Sequence, residues 1–368
     1  MIIGLVIYGS LDTLSGGYLY DRKLVEYLRS QGDTVEIFSL PWRNYGAHLM
    51  DNFSFRLPDS RDLDILIQDE LNHPSLLFAN RGRHPYPVIS LVHHLRCSEW
   101  RPGWQNVFYR LVEQKYLEAV DGFIFNSKTT ESVVNQLLGK PKPGIVAFPP
   151  TDRFGDPISE KSIRRRAQRN PFRILFLGNV IFRKGLHTLL DAIKHLPIPV
   201  RVDVVGRVDA EPAYTRQVME CIEQDQLSSI ISLHGPLDRE HLNETLEQAH
   251  LLVVPSSYEG FGIVYLEGMC FGLPAIGTTA GAAREIIEHG QNGYLIAPED
   301  AASLSAYLTS LALDRELLVQ LSLNARERYL RQPAWEETAR GIREFLAMMI
   351  RDFDESRDII EAPDPQKG

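Results

Sequence analysis

The sequence predicts an α/β chain of two doubly wound domains, each built on a parallel sheet. Three observations carry that prediction. At 368 residues the chain has room for two cores of ~150 residues each. Twelve short apolar runs alternate with helix-like stretches, six in each half. Between the two sets lies FPPTDRFGDP (148–157), whose Pro, Gly and Asp content marks a linker.

In the first half the runs are Ile2–Tyr8, Thr34–Leu40, Asp64–Gln68, Val88–His93, Gly122–Asn126 and Ile145–Phe148. Several are almost continuously apolar, as strands covered on both faces by helices are. Between the first two, Leu24, Val25 and Leu28 share one helix face that stops near Gly32, which makes a βαβ unit. The second half repeats the plan at Ile174–Gly178, Val202–Gly206, Ile230–Gly235, Leu251–Pro255, Ala275–Gly277 and Tyr294–Ile296. Arg164, Arg165, Arg166 and Arg169 read as one solvated linker helix rather than an anion site. Trp335, Ala339, Ile342, Leu346 and Met349 recur at four- and three-residue steps, an amphipathic helix in need of a surface. The expected organisation is therefore an N-terminal domain at 1–157, a C-terminal domain at 158–333, a helix at 334–352 crossing back to the first domain, and a loose acidic tail at 353–368.

Composition narrows the function classes. Hydrophobic (44%), charged (24%) and aromatic (9%) contents are ordinary globular values and exclude wholesale disorder. No run approaches the ~18 apolar residues of a membrane span. The opening IIGLVIYG is too short, and lacks the basic start, for a secretory signal. Cys97, Cys221 and Cys270 are scattered and odd in number, which favours a reducing cytoplasm over a disulfide framework or metal cluster. A net charge of −9 argues against nucleic acid as a partner. Residues 1–150 carry only −1 of it, so an anionic acceptor or surface is better met by the first half.

Each open parallel sheet offers a crevice at the carboxyl ends of its strands. In the second half, the strand ending at Pro255 runs into a polar turn and then a helix starting near Gly262. Gly260 and Gly262 leave backbone N–H groups open to close approach by an anion, and the helix end adds its own unpaired N–H groups and positive dipole. A diphosphate is stabilised there without a metal. Glu259 precedes the helix and Glu267 lies inside it, so one carboxylate can face a sugar while the other accepts from ribose hydroxyls.

These residues resemble a known family. Glu259-Gly260-Phe261-Gly262 followed by Glu267 resembles the Glu-x7-Glu motif of retaining glycosyltransferases of family 4, which have the GT-B fold. Three further segments, SGGYLYDRKLVEYLRSQGDTVEIFSL (15–40), FLGNVIFRKGLHTLLDAI (176–193) and HGPLDREHLNETLEQAHLLVVPSSYEGFG (234–262), are similar to the family's first loop and helix, its phosphate segment and the run into the carboxylate pair. The resemblance implies two Rossmann-like domains facing a central cleft. It also implies an enzyme that moves a hexose-type sugar, with retention, from a nucleoside-diphosphate sugar to a hydroxyl acceptor such as a glycan or lipid-linked sugar. No metal or other cofactor is implied.

Residue by residue, the resemblance implies that Lys184 neutralises the donor diphosphate, Glu259 contacts the transferred sugar and Glu267 the ribose. Backbone N–H groups from Gly262 through Ile263 and Val264, beside Gly260 and Phe261, would hold the phosphates. Gly16 and Gly17 would let the first domain close over the donor, and His93 would line the sugar pocket. The acceptor hydroxyl is thought to pass its proton to a leaving phosphate oxygen, so no protein base is assigned. One position departs from the family: Asn179 stands where Arg is common, so either Arg183 and Lys184 supply the missing charge or the donor is held more weakly. A GT-B nucleotide-sugar epimerase and a binding protein without turnover are the alternatives.

Other signals weigh less. Asp62-Leu63-Asp64 and Asp352-Phe353-Asp354 match a manganese-binding pattern by coincidence, and no GxGxxG follows the first strand, against a dehydrogenase. Asp69 and Glu70 end a crevice-facing strand and read equally as acceptor ligands and as ordinary polar residues. HLRCSEWRPGWQNVFYR (94–110) interleaves Arg96, Arg101 and Arg110 with Trp100, Trp104, Phe108 and Tyr109. It reads first as aromatic packing around a helix start; lining the acceptor site (Arg96, Trp100) and peripheral membrane contact are the functional alternatives.

Overall fold

The computed structural model describes residues 1–13, 15–57, 62–82, 84–99, 101, 103–149, 155–194 and 196–361. The chain forms two compact units, Met1–Pro150 with Pro333–Gly368, and Thr151–Gln332. In chain order the first opens with β1 (Ile2–Tyr8), α1 (Gly16–Ser30), β2 (Thr34–Leu40), α2 (Tyr45–Asp51), β3 (Ile65–Asp69) and α3 (His73–Leu76). It continues with β4 (Val88–Val92), α4 (Gly103–Ala119), β5 (Gly122–Phe125), α5 (Lys128–Leu138) and β6 (Gly144–Val146).

The second unit begins α6 (Glu160–Ala167), β7 (Phe172–Leu177), α7 (Leu186–Ile193), β8 (Val200–Val205), α8 (Pro212–Gln224) and β9 (Ile231–Gly235). There follow α9 (Arg239–Gln248), β10 (Leu251–Val253), α10 (Ile263–Cys270), β11 (Ala275–Thr278) and β12 (Gly293–Ile296). It closes with α11 (Ala301–Leu313) and α12 (Arg315–Leu330), after which α13 (Trp335–Glu361) returns to the first unit.

All twelve apolar runs are strands, and they form two six-stranded sheets of parallel pairs. The orders are β2-β1-β3-β4-β5-β6 and β12-β11-β10-β7-β8-β9. In each, the order reverses beside the first strand of the unit, which creates the crevice of a doubly wound sheet.

Period-two alternation sorts the first sheet's side chains into two cores. Ile3, Leu5, Ile7, Ile65, Ile67, Ile89 and Leu91 pack with Leu24, Leu28 and the apolar stripe of α13. Val6, Tyr8, Leu66, Val88, Val92, Phe123 and Phe125 face Leu76, Tyr116, Leu117 and Val134 on the other side. Side chains cap the helices where the sequence offers them: Ser15 accepts from the Tyr18 amide, and Ser127 from that of Thr130. Gly139 closes α5 in the left-handed conformation.

Two expectations are corrected. The tail expected from 353 is helical to Glu361, because α13 is nucleated by its buried stretch and adding further turns is then cheap. The basic helix is not wholly solvated. Arg164, Arg165 and Arg169 are exposed, but helical periodicity turns Arg166 inward beside Ile163 and Ala167. There its guanidinium donates to the carbonyls of Phe271 and Gly272, both at 2.8 Å, and satisfies the end of α10.

Candidate functional site

In the second unit, two loops meet at the carboxyl ends of β7 and β10. Gly185 adopts φ +71°, and a Cβ there would sit 2.2 Å from the Pro255 carbonyl oxygen, so only glycine allows this approach. The Ser257 amide then donates to the Arg183 carbonyl at 2.8 Å, which stitches Arg183-Lys184-Gly185 to the loop after β10. Gly178 leaves room for the stem of Lys184, whose Cε would lie 3.4 Å from a Cβ there.

The result is a close ionic cluster. Lys184 Nζ donates to Glu259 Oε1 at 2.5 Å, and Ser256 Oγ donates to the same oxygen at 2.6 Å. Arg183 Nη1 stands 4.0 Å from it and donates to the Tyr258 carbonyl at 2.7 Å. Burial alone would raise the Glu259 pKa; Lys184 and then Arg183 overcome it and hold the carboxyl down at about 2. Burial pushes the Lys184 ammonium down, against the pull of Glu259. At neutral pH the cluster is a charged pair with a second cation alongside.

The backbone of Glu259 is fixed from behind. Gly281, at φ +77°, bridges Glu259, and a Cβ on it would fall 2.1 Å from the Glu259 carbonyl oxygen, which accepts from the Ala282 amide at 2.8 Å. Thr278 Oγ1 donates to the Ser256 carbonyl at 2.5 Å. Ser256, Thr278 and Gly281 were not singled out from the sequence. Only Gly281, set among small residues in TTAGAA, carried a local signal of close approach.

Gly262 opens α10 at φ +94°, and Tyr265 packs where its Cβ would be. The first-turn amides of Ile263 and Val264 follow directly on this turn. Tyr265 Oη donates to the Val254 carbonyl at 2.8 Å and seats the helix on β10. Gly260 and Phe261 lie in the turn, and Glu267 is inside α10 with 5% exposure. Asn179 uses its Oδ1 to accept from the Arg207 amide at 3.2 Å, so it braces the loop after β8. The expected donor residues of the second half are therefore grouped at one end of one sheet.

In the first unit, His93 follows β4 and meets the start of α1. A Cβ on Gly17 would lie 3.2 Å from His93 Cδ2, and Gly16 begins the same helix. His93 Nε2 bonds Asp21 Oδ1 at 3.1 Å, a partner not anticipated from the sequence. His94 turns away to Glu99, with Nε2 3.0 Å from Oε1.

Asp69 and Glu70 each have 3% exposure. Asp69 Oδ1 accepts from the Leu71 amide, so their position at the strand end leaves them inside rather than on an open acceptor surface. Burial raises both carboxyls to about 7. Arg96 lies over the rings of Tyr45 and Tyr109, 5.0 and 4.8 Å from their centroids, a packing role. Trp100 lies outside the described residues. Trp104, Val107, Phe108 and Leu111 form an exposed apolar stripe on α4, at 73, 60, 44 and 57%. Tyr109 and Phe108 also pack against Tyr45, with centroids 4.8 and 6.2 Å away, as the aromatic-packing reading expects of them.

Two groups bring three possible metal ligands within 4.8 Å of one another: Asp21, Asp69 and His93, and Glu70, His73 and Glu113. In the second, Glu113 and His73 are engaged by protein groups, while Glu70 Oε1 lies 3.0 Å from His73 Nδ1. Glu113 accepts from the Arg96 and Cys97 amides, and His73 bonds the Glu70 carbonyl and Tyr45. In the first, Asp21 Oδ1 and His93 Nε2 share a direct hydrogen bond at 3.1 Å.

Residues 158–328 match the family model described as glycosyl transferases group 1. The chain is 26% identical over 249 residues to the D-inositol 3-phosphate glycosyltransferase of Xylanimonas cellulosilytica, covering 65% of this chain and 60% of that protein. It is 26% identical over 272 residues to the glycogen synthase of Mycobacterium tuberculosis, covering 73 and 64%. The matches thus span under two thirds of those relatives' lengths. Among solved structures, sucrose-phosphate synthase from Thermosynechococcus elongatus superposes with a TM-score of 0.79 at 19% identity, over 95% of this chain and 99% of that one. Anabaena HepE in complex with UDP and glucose gives 0.72 at 18%, over 94 and 99%. These structural likenesses carry the fold, the GT-B class expected from the sequence. Residues 158–328 are thus similar to the glycosyl transferases group 1 family.

Proposed function

We propose that the protein is a retaining, metal-independent glycosyltransferase. It moves a hexose-type sugar from a nucleoside-diphosphate sugar to a hydroxyl of a glycan or lipid-linked acceptor, in glycan, polysaccharide or glycolipid biosynthesis in the cytoplasm. What supports this reading most is the ionic cluster of Lys184, Arg183 and Glu259 beside the glycine turn that opens α10.

A nucleoside diphosphate leaves readily only if its charge is stabilised as the glycosidic bond breaks. Lys184 and the Gly262–Val264 amides supply that charge stabilisation. Glu259, held ionised, accepts from sugar hydroxyls, and Glu267 accepts from the ribose. Arg183 stands in for the arginine missing at Asn179. The acceptor hydroxyl attacks the anomeric carbon from the face the diphosphate leaves, and a departing phosphate oxygen takes its proton.

Membrane contact is the second part of the proposal. Its support is the exposed apolar stripe of α4, with Trp104 and Phe108 suited to a bilayer interface and Arg110 exposed beside it. Co-sedimentation with anionic vesicles, lost in Trp104→Ser/Phe108→Ser, checks it.

Incubation with labelled nucleotide sugars and an acceptor panel tests the main reading. A product glycoside with the donor's anomeric configuration supports it. An inverted product, an epimerised donor without acceptor, or tight donor binding with no turnover would each replace it.

A further inference from the structure

His93 is held on every side but one. Asp21 Oδ1 bonds its Nε2 at 3.1 Å, and the missing side chain of Gly17 faces its Cδ2 and Nε2 edge. The Tyr20 ring lies edge-on with centroids 5.3 Å apart, and the Asn126 amide grips the His93 carbonyl at 2.6 Å. Nδ1 is the ring nitrogen left without a protein partner among the described residues, on a side chain that is 17% exposed.

Asp21 is fully buried and its Oδ2 has no hydrogen-bond partner, so among the described residues the imidazole is its one hydrogen-bonded side-chain partner. A carboxylate in that position is costly unless the group it faces is a cation.

We propose that Asp21 is a positioning residue that fixes His93 as an imidazolium whose Nδ1–H points at the ligand. This rests on the reading of His93 as a ligand-contacting residue and deepens it. A ring fixed in this way only donates at Nδ1. It therefore selects an oxygen that can accept, a sugar hydroxyl or an anionic oxygen, and it cannot serve as a general base at neutral pH.

The surrounding groups reinforce the charge. Asp21 from α1, and Asp69 and Glu70 from the end of β3, all hold the proton on the ring and together outweigh burial, raising His93 to about 9. Tyr18 and Tyr20 flank Asp21, and His94 is the neighbouring titratable group on the same loop. Asp69, itself at about 7, keeps much of the acid charge in reserve until the pH rises.

The test is a titration of ring-labelled histidines by NMR, with the His93 signal assigned from His93→Gln, in the wild type and in Asp21→Asn. The wild-type ring is expected to titrate near 9 and the variant's at least 1.5 units lower. With a glycosyl acceptor present, the upper pH limit of kcat/KM moves down with it. The Asp21→Asn rate is expected to fall tenfold or more at pH 8 and by less at pH 6. A purely structural Asp21 would lower thermal stability and leave both titrations unmoved, which would overturn the proposal. A wild-type His93 that titrates near 6.5 would overturn it too, with no variant needed. Because the titration requires no turnover, absence of transferase activity would count against the proposed function and leave this result standing.

Discussion

Lys184 and Glu259, 75 residues apart, share a 2.5 Å bond beneath the loops that follow β7 and β10. The pair is largely buried, with side-chain exposures of 13 and 8%, and each partner is the main reason the other stays charged. Breaking it from either side therefore differs from removing it.

Lys184→Met leaves Glu259 with only Arg183, 4.0 Å away, as a facing cation, and is expected to cost up to ~3–5 kcal/mol. Lys184→Met combined with Glu259→Gln is expected to recover part of that, since no buried charge is stranded. Chemical denaturation of both single variants and the double variant measures the coupling.

The pair also sets an acid limit. The Glu259 pKa is lowered to about 2 in the folded chain, from an ordinary value near 4.5. The stability it contributes is present above the unfolded value and is lost as pH falls through the folded one. The stability gap between wild type and Glu259→Gln is expected to shrink between about pH 5 and pH 2. A gap that is constant over that window would show that the carboxylate is not held ionised by the pair.

The two carboxylates are expected to separate by function. Glu267→Ala should weaken binding of a nucleoside diphosphate by ~1–3 kcal/mol, the scale of a lost charged hydrogen bond. Glu259→Gln, which keeps a partner for Ser256, should lower turnover and leave that affinity within a few-fold. Calorimetry and steady-state kinetics read the two effects separately.

Gly281→Ala places a methyl group 2.1 Å from the Glu259 carbonyl oxygen in a backbone region that alanine disfavours. It is expected to cost at least ~1–3 kcal/mol and to displace Glu259. A thermal melt together with donor binding shows both consequences.

Removal of residues 333–368 should unfold the first unit rather than trim it. Trp335, Ala339, Ile342, Phe345, Leu346 and Met349 are part of its core, and Arg343 pairs with the buried Asp33 through two bonds. A soluble truncated chain with an unchanged melting transition would contradict this.

Much of this was legible in the sequence, because strands buried on both faces leave apolar runs that nothing else in the chain imitates. Glu259 and the glycine turn stand within one short segment, so their spacing exposes them, whereas Lys184 is picked out by the family resemblance. What sequence could not supply was pairing across distance. Asp21 looks like any polar residue on a helix, and only the approach of β4 to α1 makes it the partner of His93. Arg166 likewise looks like its exposed neighbours until the helix phase turns it toward the end of α10. Asp69 and Glu70 show the reverse: a strand end implies access, yet burial was decided by the segments folded over them.

The most direct measurement is a crystal structure with a nucleoside diphosphate bound. The account predicts its two phosphates against Lys184 Nζ and the amides of residues 262–264. A pyrophosphate bound anywhere else on the chain would contradict it.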